Sequence, residues 1–303
     1  MKHSRVLPLI LLLLVVSISA CAGKDTEVLP SGDGIAVRSF QSDFGDVYSG
    51  ESASITLVAE NRGDFTASNV KAKLIRSGSF TNTTATEIDG SDLGIPLGDT
   101  YASDAFFWEL DAPTILQDRS EEVQAEVSYD YESSAVSTVH FVPNDVLRET
   151  GLGAYPDASS SSRSPIFIDV VANQPVQVRE AGDMSVRFTV ILVNKGGGKV
   201  ESLSPIASDN KKGDCTEAFG CIDKITVRGL GPGCTGFSAV GDSSNGIVEG
   251  VKLIQGKEGR KSFEATYTIA DDSVSTSCQL QVTAEYRYKL LSPIESLMVL
   301  KAD

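Results

Sequence analysis

A chain of 303 residues with 26 basic and 41 acidic side chains carries a formal net charge of −15. Such a surface repels phosphate backbones and anionic headgroups, and with no basic cluster beyond Lys211-Lys212 it argues against nucleic acid as a partner. Hydrophobic residues make up 41%, enough to fill the cores of two ordinary domains, while two histidines leave little material for acid–base or metal chemistry.

The chain opens with Lys2, His3 and Arg5, followed by an apolar stretch of thirteen residues from Val6 to Ile18 and the small residues Ser19 and Ala20. This is the pattern of an export signal, and the run is short of the about 20 apolar residues that a membrane-spanning helix needs. Ile18-Ser19-Ala20-Cys21 resembles the lipobox of prokaryotic lipoproteins. That resemblance implies cleavage before Cys21, so that residues 1–20 are lost, and a diacylglycerol thioether on the Cys21 sulfur. The plain alternative is a signal peptide cut near Ala20 with Cys21 incidental. Two lipid chains hold a protein on a membrane where one does so only marginally, so the expected location is the cell envelope, with membrane lipid as a partner through Cys21. Residues 21–33 hold Gly23, Pro30 and Gly32 among polar side chains and read as a stalk.

From residue 34 onward, Val- and Thr-rich segments of five to ten residues alternate with Gly, Asn, Asp and Pro clusters, which reads as all-β. "SGESASITLVAENRG" (49–63) places Ala53, Ile55, Leu57 and Ala59 on one face of a strand. "AGDMSVRFTVILVNKGG" (181–197) does the same with Val186, Phe188, Val190 and Leu192, and both end in Asn-basic-Gly. Further on, "VQAEVSYDYE" (123–132) aligns without gaps with "LQVTAEYRYK" (280–289), so that Tyr129 and Tyr131 match Tyr286 and Tyr288. An apolar segment follows each, Val136 to Val142 and Ile294 to Leu300, as a terminal hairpin would require.

The repeat predicts two tandem immunoglobulin-like antiparallel β-sandwiches, over residues 34–143 and 164–303. Residues 144–163, "NDVLRETGLGAYPDASSSSR", have the composition of a flexible linker. The Gly-acid turn, alternating strand and Asn-x-Gly ending resemble the CARDB-like and related immunoglobulin-like domains of prokaryotic surface proteins. The resemblance covers most of the chain after the signal as architecture.

Cys215, Cys221, Cys234 and Cys278 all fall in the second repeat, and an exported chain meets conditions in which disulfides persist. Four cysteines allow three pairings. The short loop "CTEAFGC" favours Cys215 with Cys221, which leaves Cys234 for Cys278. A zinc site is the rival, but the intervening five, twelve and forty-three residues lack the close CxxC pairs of such sites.

His140, in "VSTVHFV", is the sole histidine after the signal, so a Ser-His-Asp triad would have to be built around it. No HExxH, GxSxG or phosphate-loop pattern occurs, and "GLGPGC" (229–234) lacks the third glycine of a dinucleotide fingerprint. No catalytic residue, metal site or cofactor is expected. "DNKKGD" (209–214) and "DGSDLG" (89–94) are the candidates for weak calcium binding, without the ligand spacing of an EF-hand. "FFWEL" (106–110) and the two Tyr-x-Tyr pairs are where a sugar or protein groove would be sought, although their recurrence in both copies favours a core role. Asn82-Thr83-Thr84 is an acceptor sequon if the host glycosylates exported chains. The leading expectation is a non-catalytic envelope lipoprotein that binds a surface protein or polysaccharide. The rivals are a carbohydrate- or calcium-binding accessory protein and a hydrolase working with carboxylates alone.

Overall fold

Period-two alternation becomes strand almost throughout. The computed structural model describes residues 34–156, 158–203, 213–216, 219–231, 234–240 and 245–302. The first repeat contains β1 (Ile35–Ser42), β2 (Asp46–Tyr48), β3 (Ser52–Asn61), β4 (Ser68–Arg76), β5 (Thr81–Asn82), β6 (Glu87–Asp89), β7 (Ser103–Asp111) and β8 (Arg119–Pro143). A helix, α1 (Asn144–Thr150), a 3₁₀ turn (Leu152–Ala154) and β9 (Ala158–Ser161) follow. The second repeat contains β10 (Ile166–Ala172), β11 (Val176–Val178), β12 (Gly182–Asn194), β13 (Lys199–Glu201), β14 (Cys221–Leu230), β15 (Cys234–Ala239), β16 (Ile247–Lys252), β17 (Glu258–Ile269), β18 (Thr276–Leu291) and β19 (Glu295–Leu300).

Each repeat builds one small antiparallel sheet of the same topology, β1-β3-β7-β5 in the first and β10-β12-β17-β15 in the second. The remaining strands form a single eleven-stranded sheet that runs through both repeats, with β8 and β18 at its centre. Alternate residues of β3, β8, β12 and β18 are buried, including every member of the four inward sets that the sequence alternation picks out. They pack into one continuous hydrophobic cluster, which is why the described residues make one compact unit. The architecture is a two-layer, all-β sandwich made twice.

Three features differ from the sequence expectation. First, the repeats do not stand apart as separately closed domains, because β8 and β18 pair antiparallel from Phe141 opposite Thr276 to Glu126 opposite Leu291. Second, the described residues form neither of the expected terminal hairpins. Strand β8 continues for 25 residues, and the serines at 133 and 134 do not interrupt it. Ser133 points into the core, where its hydroxyl lies 2.6 Å from that of Tyr286, so an inward polar residue is satisfied and the alternation survives. In the second repeat Pro293 does break the run, since proline offers no ladder N–H, and β19 leaves β18 to pair with β8 and β2.

Third, residues 144–163 include ordered structure rather than a uniformly flexible linker. Ala158–Ser161 pairs with residues 135–138 of β8, the Ser162 amide donates to the Ser134 carbonyl at 2.8 Å, and the Ser134 amide donates to the Ser162 hydroxyl at 3.0 Å. The serine run cannot bury apolar surface, but β8 has an edge beyond β4 with main-chain groups to be paired, and short polar side chains fit there. Helix α1 buries only Leu147.

Candidate functional site

The densest polar chemistry of the described residues lies inside the molecule, where the two layers meet. Tyr129, Tyr131, Tyr286 and Tyr288 project from β8 and β18 into the core as a contiguous group, with ring centroids 5.6 to 6.5 Å apart. Their hydroxyls reach across to the small sheets. Tyr129 accepts from the Ile35 amide (3.2 Å) and Tyr286 from the Ile166 amide (3.3 Å), the opening residues of β1 and β10. Tyr131 donates to Asn61 Oδ1 (3.4 Å) and Tyr288 to Asn194 Oδ1 (2.8 Å). The Phe65 and Gly198 amides complete the second pair, donating to Tyr131 and Tyr288 at 3.3 and 2.7 Å.

The Asn-basic-Gly endings of β3 and β12 therefore receive the tyrosines. Asn61 Nδ2 donates to the carbonyls of Phe65, Leu93 and Gly94 (2.7, 3.0 and 3.0 Å), and its Oδ1 accepts from the Gly63 amide (3.1 Å). Asn194 repeats this with Gly198, Gly256 and Gly196. Glycine follows at both places because a Cβ on Gly63 or Gly196 would run into the Tyr131 or Tyr288 hydroxyl. Burial pushes the Tyr129 and Tyr286 hydroxyls well above their ordinary range, and pushes Tyr288 up to about 12. These are structural hydroxyls, held neutral and inaccessible.

Asn61→Ala would remove the side-chain donor to the Phe65 and Gly94 carbonyls, one of the two donors to the Leu93 carbonyl, and the acceptor of the Tyr131 hydroxyl. At about 1 to 3 kcal/mol for each buried group left unpaired, less what water recovers, the expected loss is about 3 kcal/mol in urea denaturation. A loss below about 1 kcal/mol would show that the asparagine does not organise this junction.

Directly outside the tyrosines, Asp130 faces Arg287 across β8 and β18 with two bonds of 2.7 and 3.2 Å. The carboxylate beside Arg287 raises its already high pKa further. The same outer face pairs Lys289 with Glu201 at 3.0 Å and Lys224 with Glu285 at 2.6 Å. It also sets two carboxylates opposite each other, Glu132 and Glu285, the arrangement an acid-only hydrolase would need. Burial first, and then the charge of Glu285, moves Glu132 upward, while Arg228 and Lys224 oppose that shift. The pair sits on a sheet face between those cations, not in a cleft. A recess of about 330 Å³ lies elsewhere, beside Val171, Arg187, Thr189, Val240 and Ser262, and contains no acid–base pair.

The other sequence candidates fall as follows. Cys215 is joined to Cys221 and Cys234 to Cys278, with Cα separations of 5.9 and 5.8 Å. The second bridge ties β15 of the small sheet to β18 of the shared sheet. Among the described residues no group of three or more His, Cys, Asp or Glu side chains is placed to hold a metal ion. His140 is half-buried, its ring 5.5 Å from that of Tyr155. Trp108 and Phe106 are core residues, with the indole N–H donating to the Thr86 carbonyl at 3.3 Å, whereas Phe107 is 57% exposed. In "DGSDLG", Asp89 pairs with Lys71 and Asp92 accepts from the Asn69 amide, while most of "DNKKGD" lies outside the described residues. Asn82 forms half of the two-residue strand β5, and its amide nitrogen, the atom a glycan would need, is shielded from solvent with no hydrogen-bond partner. Folding therefore hides that acceptor. Cys21 lies outside the described residues.

Fold and junction together define a duplicated two-layer antiparallel β-sandwich. No protein-family model matches the chain, and no curated protein matches it either. Among solved structures the chain is similar to the MSCRAMM ACE of Enterococcus faecalis at 12% identity, over 90% of this chain and 97% of that one, with a TM-score of 0.17. It is similar to the collagen adhesin CNA of S. aureus at 9% identity, over 90% and 94%, with a TM-score of 0.14. The collagen binding domain of Erysipelothrix rhusiopathiae surface protein RspB gives 11% identity over 89% and 98%, with a TM-score of 0.13. Superpositions this loose carry no argument, and the architecture rests on the strand pairings themselves.

Proposed function

We propose that this chain is a cell-envelope lipoprotein, anchored through a lipidated Cys21, that displays its duplicated β-sandwich for adhesion to a surface protein or polysaccharide and performs no catalysis. The observation that carries the reading is how the molecule uses its chemistry. The tyrosines and asparagines that could have lined a ligand site instead join the two layers, and at the centre of the shared sheet Asp130 pairs with Arg287, Lys224 with Glu285 and Lys289 with Glu201. A sandwich framework carrying long connections suits display. The connections of the second repeat, from β13 to β14 and from β15 to β16, are the contact surface of this proposal, and the Cys215–Cys221 bridge closes the end of the first of them. Disulfides suit an oxidising compartment, and the Ile18-Ser19-Ala20-Cys21 motif supplies the address.

Two measurements test this. The intact mass of protein extracted from membranes should show loss of residues 1–20 and a diacylglyceryl increment on Cys21; an unmodified Cys21 overturns the anchor. Residues 34–303 screened against immobilised surface proteins and polysaccharides should give a saturable binder whose presence protects residues 202–220 and 240–246 from protease. Unchanged cleavage at saturation removes these loops from the contact.

A further inference from the structure

The strand pairings place the end of each repeat in the other. The segment that closes the first repeat, Ser137–Phe141 of β8, pairs antiparallel with Thr276–Leu280 of β18, and Phe141–Pro143 runs parallel to β11. The segment that closes the second repeat, β19, pairs antiparallel with Arg119–Val123 of β8, and Met298–Leu300 runs parallel to β2. The gapless alignment that carries Tyr129 onto Tyr286 also carries Arg119 onto Thr276, Phe141 onto Met298 and Pro143 onto Leu300. The two sets of contacts are therefore images of one another displaced by one residue, since Thr276 faces Phe141 whereas its counterpart Arg119 faces Val299 rather than Met298. The same alignment carries Asp130 onto Arg287, the residue it faces, and turns the pair Tyr129–Tyr288 into Tyr286–Tyr131. An internal two-fold axis passes through the Asp130–Arg287 ion pair.

We infer that the molecule is a strand-exchanged dimer fused into one chain: each repeat leaves a groove between its β2-type strand and the start of its last long strand, and the terminal segment of the other repeat fills it. The groove takes an extended segment with inward apolar residues at every second position. In the first repeat these are Leu297 and Val299, both fully buried, with Val47 of β2 buried alongside. The Ser49 amide donates to the Leu300 carbonyl (2.8 Å) and the Lys301 amide to Asp118 (2.8 Å), so the foreign strand is held along its length by first-repeat atoms. In the second repeat the fillers are Val139 and Phe141, and the Phe141 ring stacks on Tyr267 of β17 at 4.5 Å. The His140 amide donates to Gln174, which lies beside β11 (3.2 Å). Withdrawing either segment uncovers the core of the opposite repeat and leaves strand edges unpaired. The partner that each groove recognises is thus a second copy of the same repeat, here supplied in cis.

Two experiments on the full chain decide it. A site-specific protease sequence inserted between Gly153 and Ala154, in the exposed connection between the repeats, allows complete cleavage, and both disulfides lie on one side of the cut. The two pieces should then co-elute at the mass of the uncut protein and unfold in one transition. Pieces that separate while each stays folded overturn the inference. Hydrogen exchange on the conservative variants Val299→Ala and Phe141→Leu reads the crossing directly. Val299→Ala should speed exchange in residues 46–48 and 119–123 of the first repeat, and Phe141→Leu in residues 176–178 and 263–269 of the second, by about tenfold or more. Faster exchange confined to the repeat that carries each substitution would sink the exchanged arrangement.

Discussion

Above pH 10 the protein is expected to unfold cooperatively rather than release its tyrosine protons one by one. Burial, the largest cause in each case, raises the folded-state pKa of Tyr129, Tyr286 and Tyr288 above the ordinary tyrosine value of 10. A group whose pKa is raised by folding contributes stability that is fully present below its unfolded pKa and is lost as the pH rises towards its folded one. The loss therefore begins near pH 10. For Tyr288 it is complete near pH 12, and for the other two it continues beyond. Each group removes about 1.4 kcal/mol per pH unit, so the three together remove about 4 kcal/mol per unit. Against an ordinary domain stability of about 5 to 15 kcal/mol, unfolding should come about one unit above pH 10 at the low end of that range and beyond pH 12 at the high end.

Absorbance of the phenolate near 295 nm and far-ultraviolet circular dichroism, followed together, should show the buried tyrosines titrating with the loss of sheet signal. Tyr288→Phe should reduce the pH slope by about a third, because it removes one of the three titrating groups, although it also costs the hydrogen bonds to Asn194 and Gly198. Gradual titration of all eight tyrosines with intact circular dichroism through pH 12 would contradict the sealed junction.

Loss of the Cys234–Cys278 bridge is expected to cost about 4 kcal/mol, against about 2.4 kcal/mol for Cys215–Cys221, on the chain-entropy account in which the closed loop sets the effect. The sequence separations are 44 and 6 residues. Location acts in the same direction. The long-loop bridge ties the small sheet of the second repeat to the shared sheet at Cys278, within the stretch of β18 that pairs with β8. The short-loop bridge closes only the turn that leads into β14. Urea midpoints of the two double-alanine variants, with unchanged m-values, measure the difference. Equal losses, or the reverse order, would show that native-state contacts outweigh loop closure here.

Much of the core was legible in the strand patterns, because a face turned toward apolar surroundings selects apolar residues at every second position whichever strand lies alongside. Ala53 to Ala59, Val123 to Tyr131, Val186 to Leu192 and Leu280 to Tyr288 are all buried as that rule requires. The matched tyrosines and Asn-x-Gly endings were visible too, as repeated residues. Their bonding was not, since a tyrosine on β8 meets an asparagine on β3 only after the layers stack. The continuity of β8 past Ser133 was not legible either, since it depends on the Tyr286 hydroxyl that meets the inward serine.

The sequence by itself determined that this is an all-β chain built twice, which residues of its strands face inward, and that its one repeated aromatic motif belongs to both copies. Tertiary structure alone decided which strands are neighbours. Alternation specifies the faces of a strand, whereas its two edges carry the same main-chain donors and acceptors along any sequence without proline. Nothing in residues 295–300 distinguishes pairing with β18 from pairing with β8 and β2. That choice is made by the break at Pro293 and by the grooves the folded repeats leave open, and it turns two sandwiches in series into one interlocked body.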